Sequence, residues 1–230
     1  MIIWINGAFG AGKTTLAIAL AGALEPSILF DPELAGLLLQ RTVPPAPSGD
    51  FQDLPVWRDL VVSIALSLRR RYGGALIVPM TLVAPDYRRE IFGALRSAGE
   101  SLLHVFLDVD AATLRQRIEA HVIAPLDPVR DAEIRAWRLA QTERCLQGRE
   151  FLPPDTLFLD AATMATPRLA EAVIASLATR SDGAVASCRS NTDFLAGLQA
   201  RNCDAKRRID RKAPHSSAPS TAATTGEGRK

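Results

Sequence analysis

The stretch Met1-Ile2-Ile3-Trp4-Ile5-Asn6-Gly7-Ala8-Phe9-Gly10-Ala11-Gly12-Lys13-Thr14 decides the fold. Its opening apolar run has the length of one buried strand. Residues 7–14 then read G-x-x-x-x-G-K-T, a complete phosphate-binding loop. Residues 15–24, rich in Ala and Leu, predict a helix. A loop held between a strand and a helix is the context in which this motif binds phosphate. Glycines let main-chain N–H groups close around an anion, because no Cβ stands in the way. The helix aims its positive end at the same anion. Gly7, Ala8, Phe9, Gly10, Ala11, Gly12, Lys13, Thr14 and Thr15 are therefore the candidate ATP contacts. Lys13 is expected to reach the β- and γ-phosphates, Thr14 to ligate Mg²⁺ and Thr15 to bond the α-phosphate.

Two hundred and thirty residues suffice for one sizeable α/β domain with a tail. No apolar run is long enough to span a bilayer. No basic residue precedes Ile2 to Ile5 as in a signal peptide, so a cytoplasmic location is expected. Cys145, Cys188 and Cys203 are few, scattered and odd in number, so neither a disulfide framework nor a zinc site is indicated. The net charge of +2 is uneven. Residues 181–230 hold nine Lys/Arg against five Asp/Glu, which leaves the first 180 residues at −2. A domain over 1–180 followed by a basic, disordered tail over 181–230 is expected. The tail carries no strong nucleic-acid signal and reads as a solvated extension, with peripheral contact to an anionic membrane left open.

Strand and helix patterns then alternate. A second strand over 27–30 ends at Asp31-Pro32-Glu33. An acid at the carboxyl end of a parallel strand faces the ligand crevice, where it can take a proton from an attacking hydroxyl. Asp31 can equally cap the helix that follows. Pro44, Pro45, Pro47 and Gly49 predict a long loop over 41–54. Trp57, Leu60, Val61, Ile64 and Leu68 repeat as one buried helix face, placing Trp57 in the core and Arg58 near the crevice. A third strand over 75–78 runs into Pro79-Met80-Thr81, and a helix over 85–98 follows. A fourth strand over 102–107 is followed by a helix over 111–120, a Pro-broken turn and a long helix reaching 147. This arm carries Arg117 and Arg138, where a closing lid, about 111–148, would bring cations onto a transferring phosphoryl group. A fifth strand over 156–160 and a helix over 167–179 close the domain. The pattern is α/β: a parallel sheet covered on both faces.

Several blocks together resemble the tunicamycin-resistance protein family of P-loop proteins. They are the opening Met1 to Thr14, Asp31-Pro32-Glu33, the run Asp50-Phe51-Gln52-Asp53-x-Pro55-x-Trp57-Arg58, and Ile77-Val78-Pro79-Met80-Thr81. Their order is kept across residues 1–160. The resemblance implies a P-loop NTPase three-layer fold of nucleoside/nucleotide-kinase type, with a five-stranded parallel sheet in the order 2-3-1-4-5, flanking helices and a helical lid. It also implies a link to resistance against a nucleoside antibiotic. Two features depart from kinases of this fold. The third strand ends without an acidic residue, which leaves Asp31 as the best acid. His121 stands one turn after Arg117, where a second arginine is common.

The expectation is an ATP- and Mg²⁺-dependent small-molecule kinase acting on a nucleoside-like or antibiotic acceptor. Lys13, Asp31 and Arg117 would be catalytic, and Arg117 and Arg138 would close over the phosphates. Asp31, Gln52 and Arg58 would meet the acceptor. The alternative is a non-catalytic protein that sequesters a drug or nucleoside in an ATP-dependent way. Oligomeric state is not encoded in these patterns.

Overall fold

The computed structural model of the chain describes residues 1–180. The basic tail lies outside the described residues. Five parallel strands, β1 (Ile2–Gly7), β2 (Ser27–Leu29), β3 (Ala75–Pro79), β4 (Leu102–Asp108) and β5 (Leu157–Asp160), form one sheet in the order β2-β3-β1-β4-β5. The helices are α1 (Lys13–Ala23), α2 (Glu33–Leu39), α3 (Pro55–Tyr72), α4 (Pro85–Ser97), α5 (Ala111–Ala120), α6 (Pro128–Ala140), α7 (Thr142–Gln147) and α8 (Thr166–Arg180).

The central strand is buried throughout because both of its faces are covered. Successive side chains alternate across a strand. Ile3, Ile5, Leu103, Val105 and Leu107 therefore join the core built with α1 and α8. Ile2, Trp4, Leu76, Val78 and Leu102 join the opposite core, built with α2, α3 and α4. Ile3 pairs with Ile77 on one side and with Leu103 on the other, which places β1 between β3 and β4. The parallel arrangement brings the strand ends Gly7, Asp108 and Asp160 to one edge, with Asp31 and Thr81 two residues past their strands.

Two local features differ from the sequence expectation. The first helix begins at Lys13, two residues early, so Lys13 and Thr14 belong to its first turn. The long helix expected up to 147 is two helices that meet at Gln141. There the Gln141 N–H is shared between the carbonyls of Trp137 and Arg138, at 3.1 and 3.2 Å. The Thr142 hydroxyl also donates back to the Arg138 carbonyl at 3.4 Å. Such back-bonding competes with the regular ladder and bends a helix.

The long loop is tied down rather than open. A 3₁₀ turn at Phe51–Asp53 is capped by Asp50, whose side chain accepts from the Gln52 N–H at 3.0 Å. Phe51 lies against α2 at Gly36, where any Cβ would come within 2.6 Å of the Phe51 ring. Trp57 is fully buried, and its Nε1 donates to the Pro32 carbonyl at 3.1 Å. This bond fixes α3 to the start of α2, and hence to Asp31.

Candidate nucleotide-binding site

The loop after β1 has the geometry of a phosphate cradle. Gly12 has φ +96° with open space where a Cβ would stand, so glycine here serves the left-handed backbone. Gly7 has φ +142°, and a Cβ would sit 2.9 Å from the Leu107 carbonyl oxygen. The end of β1 thus lies closer to β4 at Leu107 than a side chain would permit. Lys13 Nζ donates to the carbonyls of Gly7 and Ala8, at 3.0 and 2.8 Å. Thr14 and Thr15 are exposed at the first turn of α1. An open left-handed glycine, an ammonium at the loop mouth and an exposed hydroxyl on a helix N-terminus fit a magnesium-bound triphosphate. Lys13 would meet phosphate oxygens and Thr14 the metal. Among the described residues there is no cluster of three His, Cys, Asp or Glu side chains that would bind a metal alone.

Behind the loop runs a buried polar network that no sequence motif announces. The Asn6 side-chain oxygen accepts from the N–H groups of Gly7 and Leu82, at 2.8 and 2.9 Å. Its amide nitrogen donates to the Leu82 carbonyl at 2.8 Å and meets His104 Nε2 at 3.2 Å. Because the amide orientation is fixed by the first two bonds, Nε2 must be the acceptor. The His104 proton then lies on Nδ1, 2.9 Å from the Thr156 hydroxyl. Burial, reinforced by the charges of Arg88 and Arg96, lowers the His104 pKa to about 3, so the ring is neutral. The Thr81 hydroxyl donates to the Gly7 carbonyl at 2.9 Å, and the Thr81 carbonyl accepts from Gln52 Nε2 at 3.1 Å. Thr81 is 1% exposed. The position past β3 where an acid is common is therefore occupied by a residue that holds the loop.

The His104 pKa has a direct consequence for stability. A base whose folded pKa is depressed stabilises fully above its unfolded value, near 6.5, and loses that contribution as pH falls. The slope approaches roughly 1.4 kcal/mol per pH unit between the two values. Wild-type protein is therefore expected to lose roughly 3 kcal/mol more than His104→Gln between pH 7 and 4, by urea unfolding. The glutamine carbonyl can still accept from Asn6 but does not titrate. Parallel pH profiles for the two proteins would show that the histidine is not held neutral.

The candidate acceptor residues sit beside this network. Asp31 is half-buried, and its Oδ1 accepts from the Glu33 N–H at 3.0 Å. That bond ties the carboxylate to Glu33, the first residue of α2, while Pro32 takes the cap position itself. Gln52 is buried and hydrogen-bonded to Thr81. Arg58 is also buried; Nη1 donates to the Gln52 carbonyl and Nε to Glu90, each at 2.6 Å. Its guanidinium lies over the Tyr87 ring at 4.4 Å. Tyr87 in turn donates to Asp53 at 2.7 Å, and the bonds from Ser48 and Tyr87 hold that carboxyl below the usual range. Arg58 therefore supports the turn that carries Gln52.

The two arginines of the expected lid have different surroundings. Arg117 Nη2 donates to the carbonyls of Ala161 and Ala162, at 2.9 and 3.4 Å, next to the end of β5. Its helix backs the loop, since a Cβ on Gly10 would stand 3.1 Å from Ile118. Arg138 is half-buried and its Cζ lies 5.8 Å from the centre of the Phe9 ring. Burial lowers its pKa, opposed by the carboxylates of Glu33 and Asp131. The turn before α6 is organised by Asp131, whose Oδ1 accepts from the N–H groups of Ile123 and Ala124, at 2.6 and 2.9 Å. These bonds hold the carboxyl below its ordinary pKa. Arg144 on α7 pairs with Asp50 at 3.2 Å and so joins this arm to the 3₁₀ turn.

A parallel sheet ordered 2-3-1-4-5, whose central strand feeds a G-x-x-x-x-G-K-T turn, defines a P-loop protein of kinase-like fold. The chain belongs to the AAA domain family, whose model matches residues 2–143. It is similar to the solved structure of the tunicamycin resistance protein of Deinococcus radiodurans, with 25% identity and a TM-score of 0.59. That match covers 83% of this chain and 99% of the other. A sugar kinase from Janibacter sp. matches at 20% identity and TM-score 0.55, over 77% and 94% of the two chains. A gluconokinase from Sinorhizobium meliloti matches at 17% identity and TM-score 0.52, over 77% and 91%. At those identities the two kinases attest the fold alone. No curated protein sequence matches the chain. No helix among the described residues is long and apolar enough to cross a membrane.

Proposed function

We propose that the chain is an ATP-dependent phosphotransferase for a small hydroxylated molecule of nucleoside or antibiotic type, linked to tunicamycin-type resistance. The observation that carries this reading is the placement of Lys13 and Arg138 around one loop, with Asp31 on the same sheet edge. Asp31 lies two strands from the loop, roughly 10 Å at ordinary strand spacing. That is room for a terminal phosphoryl group and an attacking hydroxyl. Bound Mg·ATP supplies the group to be transferred. Lys13 neutralises its β- and γ-oxygens, the loop N–H groups orient it, and Thr14 holds the metal. Arg138 and Arg117 bring further positive charge and exclude water. Asp31 takes the acceptor proton, and Gln52 with Arg58 behind it shapes the acceptor wall. Positioning and charge neutralisation are the main sources of rate in such chemistry.

A second reading has its own support. The end of β3 carries no carboxylate, and its hydroxyl at Thr81 is bonded to the loop. ATP could then serve to close the lid over a sequestered drug or nucleoside without transfer. Incubation with Mg·ATP and a panel of nucleosides and antibiotics, followed by mass spectrometry, separates the two. A product heavier by one phosphoryl group is expected. ATP-dependent retention of an unchanged ligand would select sequestration instead.

A further inference from the structure

Phe9 occupies a variable position of the phosphate-loop motif, yet three separate contacts converge on it. Trp137 meets its ring edge-on, with centroids 5.0 Å apart and planes at 65°. Lys13 Nζ lies 5.3 Å from the ring centre and Arg138 Cζ lies 5.8 Å from it. Trp137 and Arg138 are neighbours on α6, so the first half of the bent arm meets the loop through this one ring.

The chemistry gives the cluster a purpose. Lys13 and Arg138 are like charges that a phosphate chain would need side by side. An aromatic ring offers its electron-rich faces to both cations and sets their spacing. Trp137, half exposed, buttresses the ring edge and contributes little to the core. We propose that Phe9 is a positioning residue, which fixes where the lid cation Arg138 comes to rest relative to Lys13. Resting on the nucleotide reading above, this assigns to the loop itself the registration of the lid over the phosphates.

The test uses the full chain with Phe9→Leu, which keeps apolar volume, and Phe9→Tyr, which restores the ring faces. Without nucleotide, amide hydrogen exchange of residues 128–140 is expected to lose about tenfold protection in Phe9→Leu and to recover in Phe9→Tyr. Protection in β1 and β4 should not change. Titration with Mg·ATP should show affinity about tenfold weaker in Phe9→Leu. In an Arg138→Ala background the same Phe9 change should add little, because the two act as one unit. Unchanged protection over 128–140, or fully additive losses in the double variant, would overturn the proposal. Should Phe9→Leu fail to fold, Trp137→Leu must loosen residues 128–140 in the same way, and its failure to do so counts equally against the proposal. If wild-type protein binds no Mg·ATP, the phosphotransfer reading falls, while the exchange comparison still decides whether Phe9 registers the lid.

Discussion

Replacing Lys13 with Ala is expected to lower turnover by at least about a hundredfold and to weaken Mg·ATP binding severely, while the fold survives. The two sides of that expectation rest on different bonds. In the folded protein the ammonium donates to the Gly7 and Ala8 carbonyls. Gly7 keeps a second donor in the Thr81 hydroxyl, and its N–H remains bonded to Asn6. The loop therefore retains its shape, and the structural cost should stay near about 1 kcal/mol. The functional cost is larger, because removing one preorganised donor from developing negative charge lowers turnover by about 10²–10³. Lys13→Arg should not rescue, since a planar guanidinium cannot replace a compact point charge inside a closed backbone turn. Melting temperature, calorimetric titration with Mg·ATP and product formation together check the claim. A Lys13→Ala protein with wild-type affinity and turnover would remove the loop from the chemistry.

Much of this architecture was legible in the chain because its signals are local. The run from Ile2 to Thr14 carries a strand period, a glycine pattern and a helix start in sequence, and each has one physical reading. The five strands alternate with helices, which leaves a covered parallel sheet as the natural outcome. The break at Gln141 was not legible. It depends on a hydroxyl at Thr142 that bonds backward, and nothing in composition separates that from an exposed threonine on a helix. The Asn6–His104–Thr156 network was equally hidden, since it joins the end of β1, the first half of β4 and the residue just before β5, which only the fold brings together. One signal did exist: a polar Asn at the end of a fully buried strand must find partners. Arg58 shows the opposite case. Its place at a helix start suggested an open crevice, whereas the fold buries it against Glu90, Tyr87 and the Gln52 carbonyl. Long-range partners of this kind are set by tertiary packing, which short spacing patterns do not encode.

Asp31→Asn is the sharper test of what the site does, because it separates chemistry from structure within one side chain. The carboxylate already has a structural duty: it accepts from the Glu33 N–H at the start of α2. Asparagine performs that duty nearly as well, so stability and the position of α2 should be preserved. Asparagine cannot accept a proton from an attacking hydroxyl. Loss of a general base costs about 10²–10⁴ in rate, so turnover should fall by at least about a hundredfold with Mg·ATP affinity unchanged. Asp31→Ala removes that bond as well and should add a stability loss of about 1 kcal/mol, visible in urea unfolding. The pair of variants thus yields a pattern that neither role alone can produce: equal losses of turnover, unequal losses of stability. If both variants turn over at the wild-type rate, the carboxylate serves that bond and nothing more. The proton would then leave the acceptor directly to the phosphoryl oxygens, as a loose transition state permits. If neither the variants nor the wild type form product, yet all retain a nucleoside only when ATP is present, the edge of β2 belongs to a binding wall. In that case its Asp serves recognition of a hydroxyl rather than its activation.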